Sequence, residues 1–190
     1  MNKENLRKQF LSKRKNLTNE QLQKKSKAIS QQFFQHFNLS KIKNLHIFLP
    51  IKKQKELNTW IIIKEIQQNH PHISLIISKS DLKTYNMTSY ILDNHTKIVE
   101  NRWGIPEPSQ AKKCPDDTID MILIPLLCYD KQGFRVGYGK GFYDRFIQKC
   151  RPDIIKIGLS LFEPIDKIDN KNDKDLKLDY CVMTNTTSEN

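Results

Sequence analysis

Gly133–Arg145, GFRVGYGKGFYDR, holds four of the six glycines in the chain, at 133, 137, 139 and 141, interleaved with Arg135, Lys140 and Arg145. Glycines two apart let backbone N–H groups turn inward as an anion-binding nest, and the cations supply countercharge. Phosphate is the natural guest. The preceding run, Asp120–Cys128 (DMILIPLLC), reads as a short buried strand. The following FYDRFIQKC has helical character, which would bring the anion to a helix N-terminus where unpaired N–H groups add to the attraction. Strand, glycine loop and helix in this order make a nucleotide-site pattern of the α/β kind. A glycine hairpin between two strands is the bland alternative, but it requires neither the three cations nor the acid, Asp144. Two familiar phosphate loops are excluded. Gly139-Lys140 is followed by Gly141 rather than Ser or Thr, and the G-x-G-x-G spacing is not that of a dinucleotide fingerprint.

The 190 residues, 37% of them hydrophobic, suffice for one substantial core, so a single domain spanning 1–190 is expected. No apolar stretch approaches the roughly 18 residues of a membrane span, and no charged-then-apolar leader is evident. No membrane role and a cytoplasmic location follow as expectations, with a monomer as the expected state. Cys114, Cys128, Cys150 and Cys181 form no C-x-x-C pair, which fits reduced structural thiols. The net charge of +11 favours polyanions, which keeps nucleic acid in view. The lysines are spread along the chain without an arginine-rich block, however, and a small anionic substrate or a solvated surface accounts for them equally well. Nucleic acid is the less favoured partner.

Asn2–Leu17 spaces Leu6, Phe10, Leu11 and Leu17 as an amphipathic helix, and Thr18-Asn-Glu-Gln21 is a capping box that opens a second. Lys3 and Arg7, four apart, project from one face of the first helix; on spacing alone they are surface charge. Strands are expected at Asn44–Pro50, Ile73–Ser78 and Ile154–Leu161, with one or two more before Glu100 and a last one within Asp175–Thr184. Glu56–Gln68 reads as a loop entering a helix capped by Asn58 or Thr59. Strands alternating with helices give the fold class: α/β, three-layer, a mainly parallel sheet with helices on both faces. The tail TNTTSEN is polar and expected to fray.

The string Arg135-x-Gly-x-Gly-Lys-Gly-Phe-Tyr-Asp144 is similar to the signature of the 5-formyltetrahydrofolate cyclo-ligase family, also called methenyltetrahydrofolate synthetases. The resemblance implies an ATP- and magnesium-dependent ligase that closes 5-formyltetrahydrofolate to 5,10-methenyltetrahydrofolate. It assigns ATP contacts to Lys3 and Arg7, through the match of KENLR to a Lys-x-x-x-Arg in the family's first helix. It adds Arg135, Val136, Gly137, Tyr138, Gly139, Lys140, Gly141, Phe142 and Tyr143, with Arg135 and Lys140 as the catalytic cations. The folate pocket it implies takes Ile51, Glu56, Trp103 and the loop residues Tyr138, Gly139, Lys140, Gly141 and Phe142. A carboxylate at 56 suits the adjacent N–H donors of a pterin edge, although a Glu ahead of a helix is also a common cap. Trp103 belongs to Asn101-Arg-Trp-Gly-Ile-Pro-Glu-Pro108, which resembles the family's Gly-Ile-x-Glu-Pro turn; it is either a flat pocket face or core. Magnesium is expected on Asp144 and Asp175, with Asp173 and Asp179 leaving the register open. Phe162-Glu163-Pro164 stands where the family often has a Gln, a departure that leaves the contact of that position unassigned. Two other classes compete: a basic nucleic-acid module whose loop grips backbone phosphate, and a different ATP-using ligase or kinase without the pterin pocket.

Overall fold

In a computed structural model, residues 1–173, 175–185 and 187–189 are described. The chain runs α1 (Lys3–Lys15), α2 (Asn19–His36), β1 (Asn44–His46), α3 (Trp60–Asn69), β2 (Ser74–Asp81), β3 (Asn86–Ile91), β4 (Lys97–Glu100), β5 (Pro106–Gln110), β6 (Met121–Pro125), β7 (Cys128–Tyr129), β8 (Arg135–Val136), α4 (Phe142–Ile147), β9 (Ile155–Leu159), β10 (Tyr180–Val182) and β11 (Thr187–Glu189). Seven strands form one sheet in the order β11-β10-β9-β6-β1-β2-β3. The five inner strands are parallel, and β3 and β11 close the two edges antiparallel.

Alternation along the inner strands sorts the two faces. Leu45, Ile47, Leu75, Ile77, Met121, Leu123, Ile157 and Leu159 pack with Ile29 and Phe33 of α2 and with Ile62, Ile63 and Ile66 of α3. Their neighbours Ile76, Ile122, Ile124 and Cys181 pack with Phe146 and Ile147 of α4 on the opposite face. The three-layer expectation therefore holds, because strands buried on both sides must be apolar throughout. A smaller core joins Leu6 and Phe10 of α1 to Leu127, Cys128 and Val136 of the β7/β8 hairpin, and so fixes α1 beside the glycine loop.

Local chemistry sets the boundaries. Thr18 accepts from the Gln21 N–H at 3.1 Å while the Gln21 side chain accepts from the Thr18 N–H at 2.9 Å, the reciprocal capping box the sequence announces. Thr59 occupies the N-cap of α3, but its hydroxyl donates to the Phe48 carbonyl at 2.6 Å, tying the helix to the sheet instead of capping it. The four thiols are unbridged, and burial pushes Cys128 and Cys150 up to about 12, far from thiolate reactivity. Among the described residues no helix is long and apolar enough to cross a membrane.

Two expectations are corrected. The apolar run 120–128 is not one strand leading into the loop: β6 ends at Pro125, and the β7/β8 hairpin, with Gly133 in its turn, intervenes before Gly137. Proline cannot donate to a ladder, which ends the strand there. The tail pairs antiparallel with β10 over Thr187–Glu189 instead of fraying, with Thr186 and Asn190 outside the described residues.

Gly158 on β9 is enclosed: a Cβ there would lie 2.6 Å from Leu178 Cδ1 and 2.7 Å from Leu126 Cδ2. Overpacking of this kind costs roughly 1–3 kcal/mol. Gly158→Ala is expected to lower the urea midpoint accordingly, and an unchanged midpoint would show that the two leucines move aside freely.

Candidate active site

The carboxyl ends of β1, β2 and β6 open into a cleft of about 1060 Å³, walled by His46 and Phe48, by Ser78 and Ser80, and by Pro125. β1 leads across α3 to β2 on one side, whereas β6 lies on its other side, so the cleft sits where the winding of the sheet reverses. Ligands of open parallel sheets collect at such a crevice.

The glycine loop forms one end of this cleft. Gly139 (φ +90°) and Gly141 (φ +65°) are in the left-handed region, which is why both positions are glycine. Backbone N–H groups of residues 137–141 donate no hydrogen bond among the described residues. A run of orphan donors next to cations is an anion nest. α1 closes over it: Arg7 Nε donates to the Gly137 carbonyl at 3.1 Å, and its guanidinium carbon lies 2.9 Å from where a Gly139 Cβ would stand. Lys140 is exposed, makes no ion pair among the described residues, and points its ammonium toward the Tyr85 ring at 5.6 Å. The helix beyond is only six residues long, so the nest itself carries most of the anion attraction.

Each acid expected to hold magnesium lies beside this nest and is paired with a cation. Asp144 Oδ1 accepts from Arg135 Nη2 at 2.8 Å and from the Leu176 N–H at 3.4 Å, while Arg135 Nη1 donates to the Leu176 carbonyl at 2.7 Å. Asp175 Oδ2 pairs with Lys3 Nζ and accepts from the Asn172 N–H at 2.7 Å. The terminal segment is thus laced to the loop, and Lys3 and Arg135 are positioned by these carboxylates. Asp144 Oδ2 and Asp175 Oδ1 make no hydrogen bond among the described residues. Two uncommitted carboxylate oxygens beside a phosphate nest are a donor set magnesium accepts, with water and phosphate completing it.

Part of the cleft wall is apolar. Ile51, Phe48, Leu49, Met87 and Ile105 line it, and Trp103 stands at the rim, 49% exposed, with the Arg102 guanidinium stacked 3.9 Å from its ring centroid. Trp103 is therefore a rim residue of the cleft and not core. Glu56, 5% exposed, is a buried acid of the same cleft. Its Oε2 accepts from the Ile51 N–H at 2.7 Å and its Oε1 from the Tyr138 hydroxyl at 2.7 Å, so each oxygen carries one internal bond and keeps one lone pair for a ligand. Burial pushes the Glu56 carboxyl up, and the Ile51 N–H, Arg14 and the Tyr138 hydroxyl hold it down against that push. Burial also drives the Tyr143 and Tyr138 phenols up, beyond any titration near neutrality.

Of the residues expected from sequence, Lys3, Arg7, Ile51, Glu56, Trp103, Arg135, Gly137–Asp144 and Asp175 all line this one cleft. Val136 does not: it is 1% exposed, packs in the α1 core, and its carbonyl accepts the Leu127 N–H at 2.8 Å within the hairpin. Sequence reasoning missed Arg14 and His46. Arg14 carried a signal, since Lys3 and Arg14 are eleven residues apart and about three helical turns return it to the same face.

His46 is fully buried on the cleft wall, with Nε2 2.6 Å from Ser78 Oγ and Nδ1 unpartnered. Desolvation lowers its pKa to about 3, so the folded ring stays neutral. Because the folded value lies below the ordinary 6.5, the unfolded chain takes up a proton between these limits that the folded chain refuses. Stability from this group is complete above pH 6.5 and falls by up to about 1.4 kcal/mol per unit as pH drops toward 3. His46→Gln is expected to flatten this slope relative to wild type in urea titrations between neutral and acid pH. Equal slopes would assign the acid sensitivity elsewhere.

Fold and cleft together are those of an α/β protein with a ligand crevice at the reversal point of its sheet, and its family makes it a ligase. The chain belongs to the 5-formyltetrahydrofolate cyclo-ligase family, whose model matches residues 1–182. A "Probable 5-formyltetrahydrofolate cyclo-ligase" of Schizosaccharomyces pombe is 32% identical over 108 residues, an alignment spanning about half of each chain, 48% of this one and 52% of that one. The mouse 5-formyltetrahydrofolate cyclo-ligase is 26% identical over 166 residues, 78% of this chain and 74% of its own. Among solved structures, Aquifex aeolicus 5,10-methenyltetrahydrofolate synthetase shares the fold with a TM-score of 0.83 at 24% identity, covering 100% of this chain and 93% of that one.

Proposed function

We propose that the chain converts 5-formyltetrahydrofolate to 5,10-methenyltetrahydrofolate, consuming ATP and releasing ADP and phosphate, as one cytoplasmic domain acting as a monomer on small molecules rather than nucleic acid. The observation that carries this reading is that one cleft brings together the loop N–H groups and cations, an apolar wall and one buried acid, Glu56.

A formamide carbonyl is a poor electrophile and its oxygen a poor leaving group. Transfer of the γ-phosphoryl group to the formyl oxygen corrects both. N10 then attacks the formyl carbon, the C–O bond breaks, phosphate departs with the oxygen, and N10 gives up its proton as the methenyl bridge closes. No protein nucleophile is required. Lys140, Arg7, Lys3 and the N–H groups of residues 137–141 hold and neutralise the triphosphate, and Arg135 stiffens the loop through Asp144. Asp144 Oδ2 and Asp175 Oδ1 would hold magnesium, which when bound supplies positive charge to the phosphate oxygens. Phe48, Ile51 and Trp103 flank the pterin and aminobenzoyl rings, and Glu56 accepts from the amino-pyrimidine edge. Catalysis on this reading is alignment plus charge stabilisation.

The test is absorbance in the near-ultraviolet band of the methenyl product after mixing protein, 5-formyltetrahydrofolate, magnesium and ATP, with a control lacking ATP. An ATP-dependent rise is expected. No rise from folded protein that still binds ATP would overturn the reaction and leave another acceptor for the loop.

A further inference from the structure

Arg14 is 3% exposed and does not line the cleft, yet it reaches the cleft through one intermediary. Its Nη2 donates to the Tyr138 hydroxyl, its guanidinium carbon lies 5.4 Å from the Tyr138 ring centroid, and the same hydroxyl donates to Glu56 Oε1 at 2.7 Å. Its Nε is buried without a hydrogen-bond partner among the described residues. A guanidinium in such a place costs several kcal/mol unless an anion compensates it. Arg14 forms no direct salt bridge among the described residues, and Glu56 is the carboxylate at the far side of Tyr138. We propose that Arg14 is a positioning residue for the substrate end of the cleft: acting through the Tyr138 hydroxyl, it keeps Glu56 ionised and aimed. The proposal rests on the reading of Glu56 as the folate-binding acid.

The groups bearing on Glu56 are few. Arg14 comes from α1, Tyr138 from the glycine loop, and Tyr143 from α4, with Arg135 acting on Tyr143. On the turn before Glu56, Lys52 and Lys53 are exposed, and Lys55 spends its ammonium on the carbonyls of Lys15 and Leu17 at 2.8 and 2.5 Å. Arg14 is thus the cation whose charge opposes the desolvation of this carboxylate. Without it, Glu56 takes up a proton at higher pH. A protonated acid loses an acceptor and meets the pterin donors with a hydroxyl, so ligand affinity is present above the raised pKa and lost as pH falls through it.

The experiment compares wild type with Arg14→Gln, Arg14→Lys, Tyr138→Phe and the neighbouring charge control Lys13→Gln. One readout is the 13C titration of the Glu56 side-chain carboxyl, its resonance identified by its loss in Glu56→Gln. The other is 5-formyltetrahydrofolate affinity, followed by tryptophan fluorescence near pH 5.5 and near pH 8.5. Arg14→Gln is expected to move the Glu56 midpoint upward and to bind close to wild type at the high pH. At the low pH it should weaken by about tenfold for each unit below the new midpoint. Arg14→Lys should recover part of this, and Lys13→Gln should match wild type. An unmoved midpoint, or an affinity loss equal at both pH values, would overturn the proposal. If Arg14→Gln does not fold, Tyr138→Phe decides by the same readouts, since it cuts the relay while leaving the guanidinium in place. If the midpoint moves but wild type binds no 5-formyltetrahydrofolate at either pH, the proposed function fails while the charge relay stands.

Discussion

Lys140→Ala is expected to weaken ATP binding by ten- to a hundredfold and to lower the ATP-dependent rate by at least as much, with 5-formyltetrahydrofolate affinity nearly unchanged. The side chain is exposed and free of any ion pair among the described residues, so its removal unpairs nothing inside the protein. Its worth falls entirely on the ligand. A charge-assisted contact to phosphate contributes roughly 1.5–3 kcal/mol, and about 1.4 kcal/mol is tenfold in affinity. The rate loss exceeds the binding loss where charge grows on the transferring phosphoryl group, as it does for preorganised donors in acyl and phosphoryl transfer. Isothermal titration with a non-hydrolysable ATP analogue reads the first effect. Unchanged nucleotide affinity in the folded variant would remove the loop from the nucleotide site.

Glu56→Gln should act on the other ligand. Loss of the carboxylate charge is expected to weaken 5-formyltetrahydrofolate by ten- to a hundredfold, from roughly 1.5–3 kcal/mol of charge-assisted bonding. ATP affinity should change less than threefold, because the amide oxygen still accepts from Tyr138 and leaves the loop in register. The variant also strips the buried Arg14 of its compensating charge, so its thermal midpoint should drop, and affinities must be compared well below that midpoint. Equal loss of both ligands, or of neither, would detach Glu56 from the folate pocket.

Much of this architecture was legible in the residues. The capping box at Thr18, the apolar runs that became β2, β6 and β9, and the glycine spacing at 137–141 each follow a local rule, and local rules survive folding. What lay beyond reach was pairing across long separations. Nothing local to Asp144 says that Arg135 occupies one of its oxygens, nor does the sequence around Asp175 disclose Lys3. Val136 was expected on the wall because the motif is contiguous, but strand alternation turns it into the core between two cleft residues. Glu56 offered a functional reading, the pocket, and a bland one, a helix cap; it lines the cleft, and instead of capping α3 it folds back onto the Ile51 N–H. His46 gave little signal as one polar letter in an apolar strand, and its significance comes only from the cleft that opens beside it.

The clasp between Lys3 and Asp175 spans 172 positions of chain. A growing polypeptide therefore cannot hold Lys3 in this way until residue 175 has been synthesised, since the acid that pairs with it lies that far along the chain. Contacts of such high separation form late, after loop-closure entropy has been overcome. Nucleotide capture at the proposed site would then report synthesis past residue 175: a chain released earlier could bury much of its sheet and still leave Lys3 without this partner.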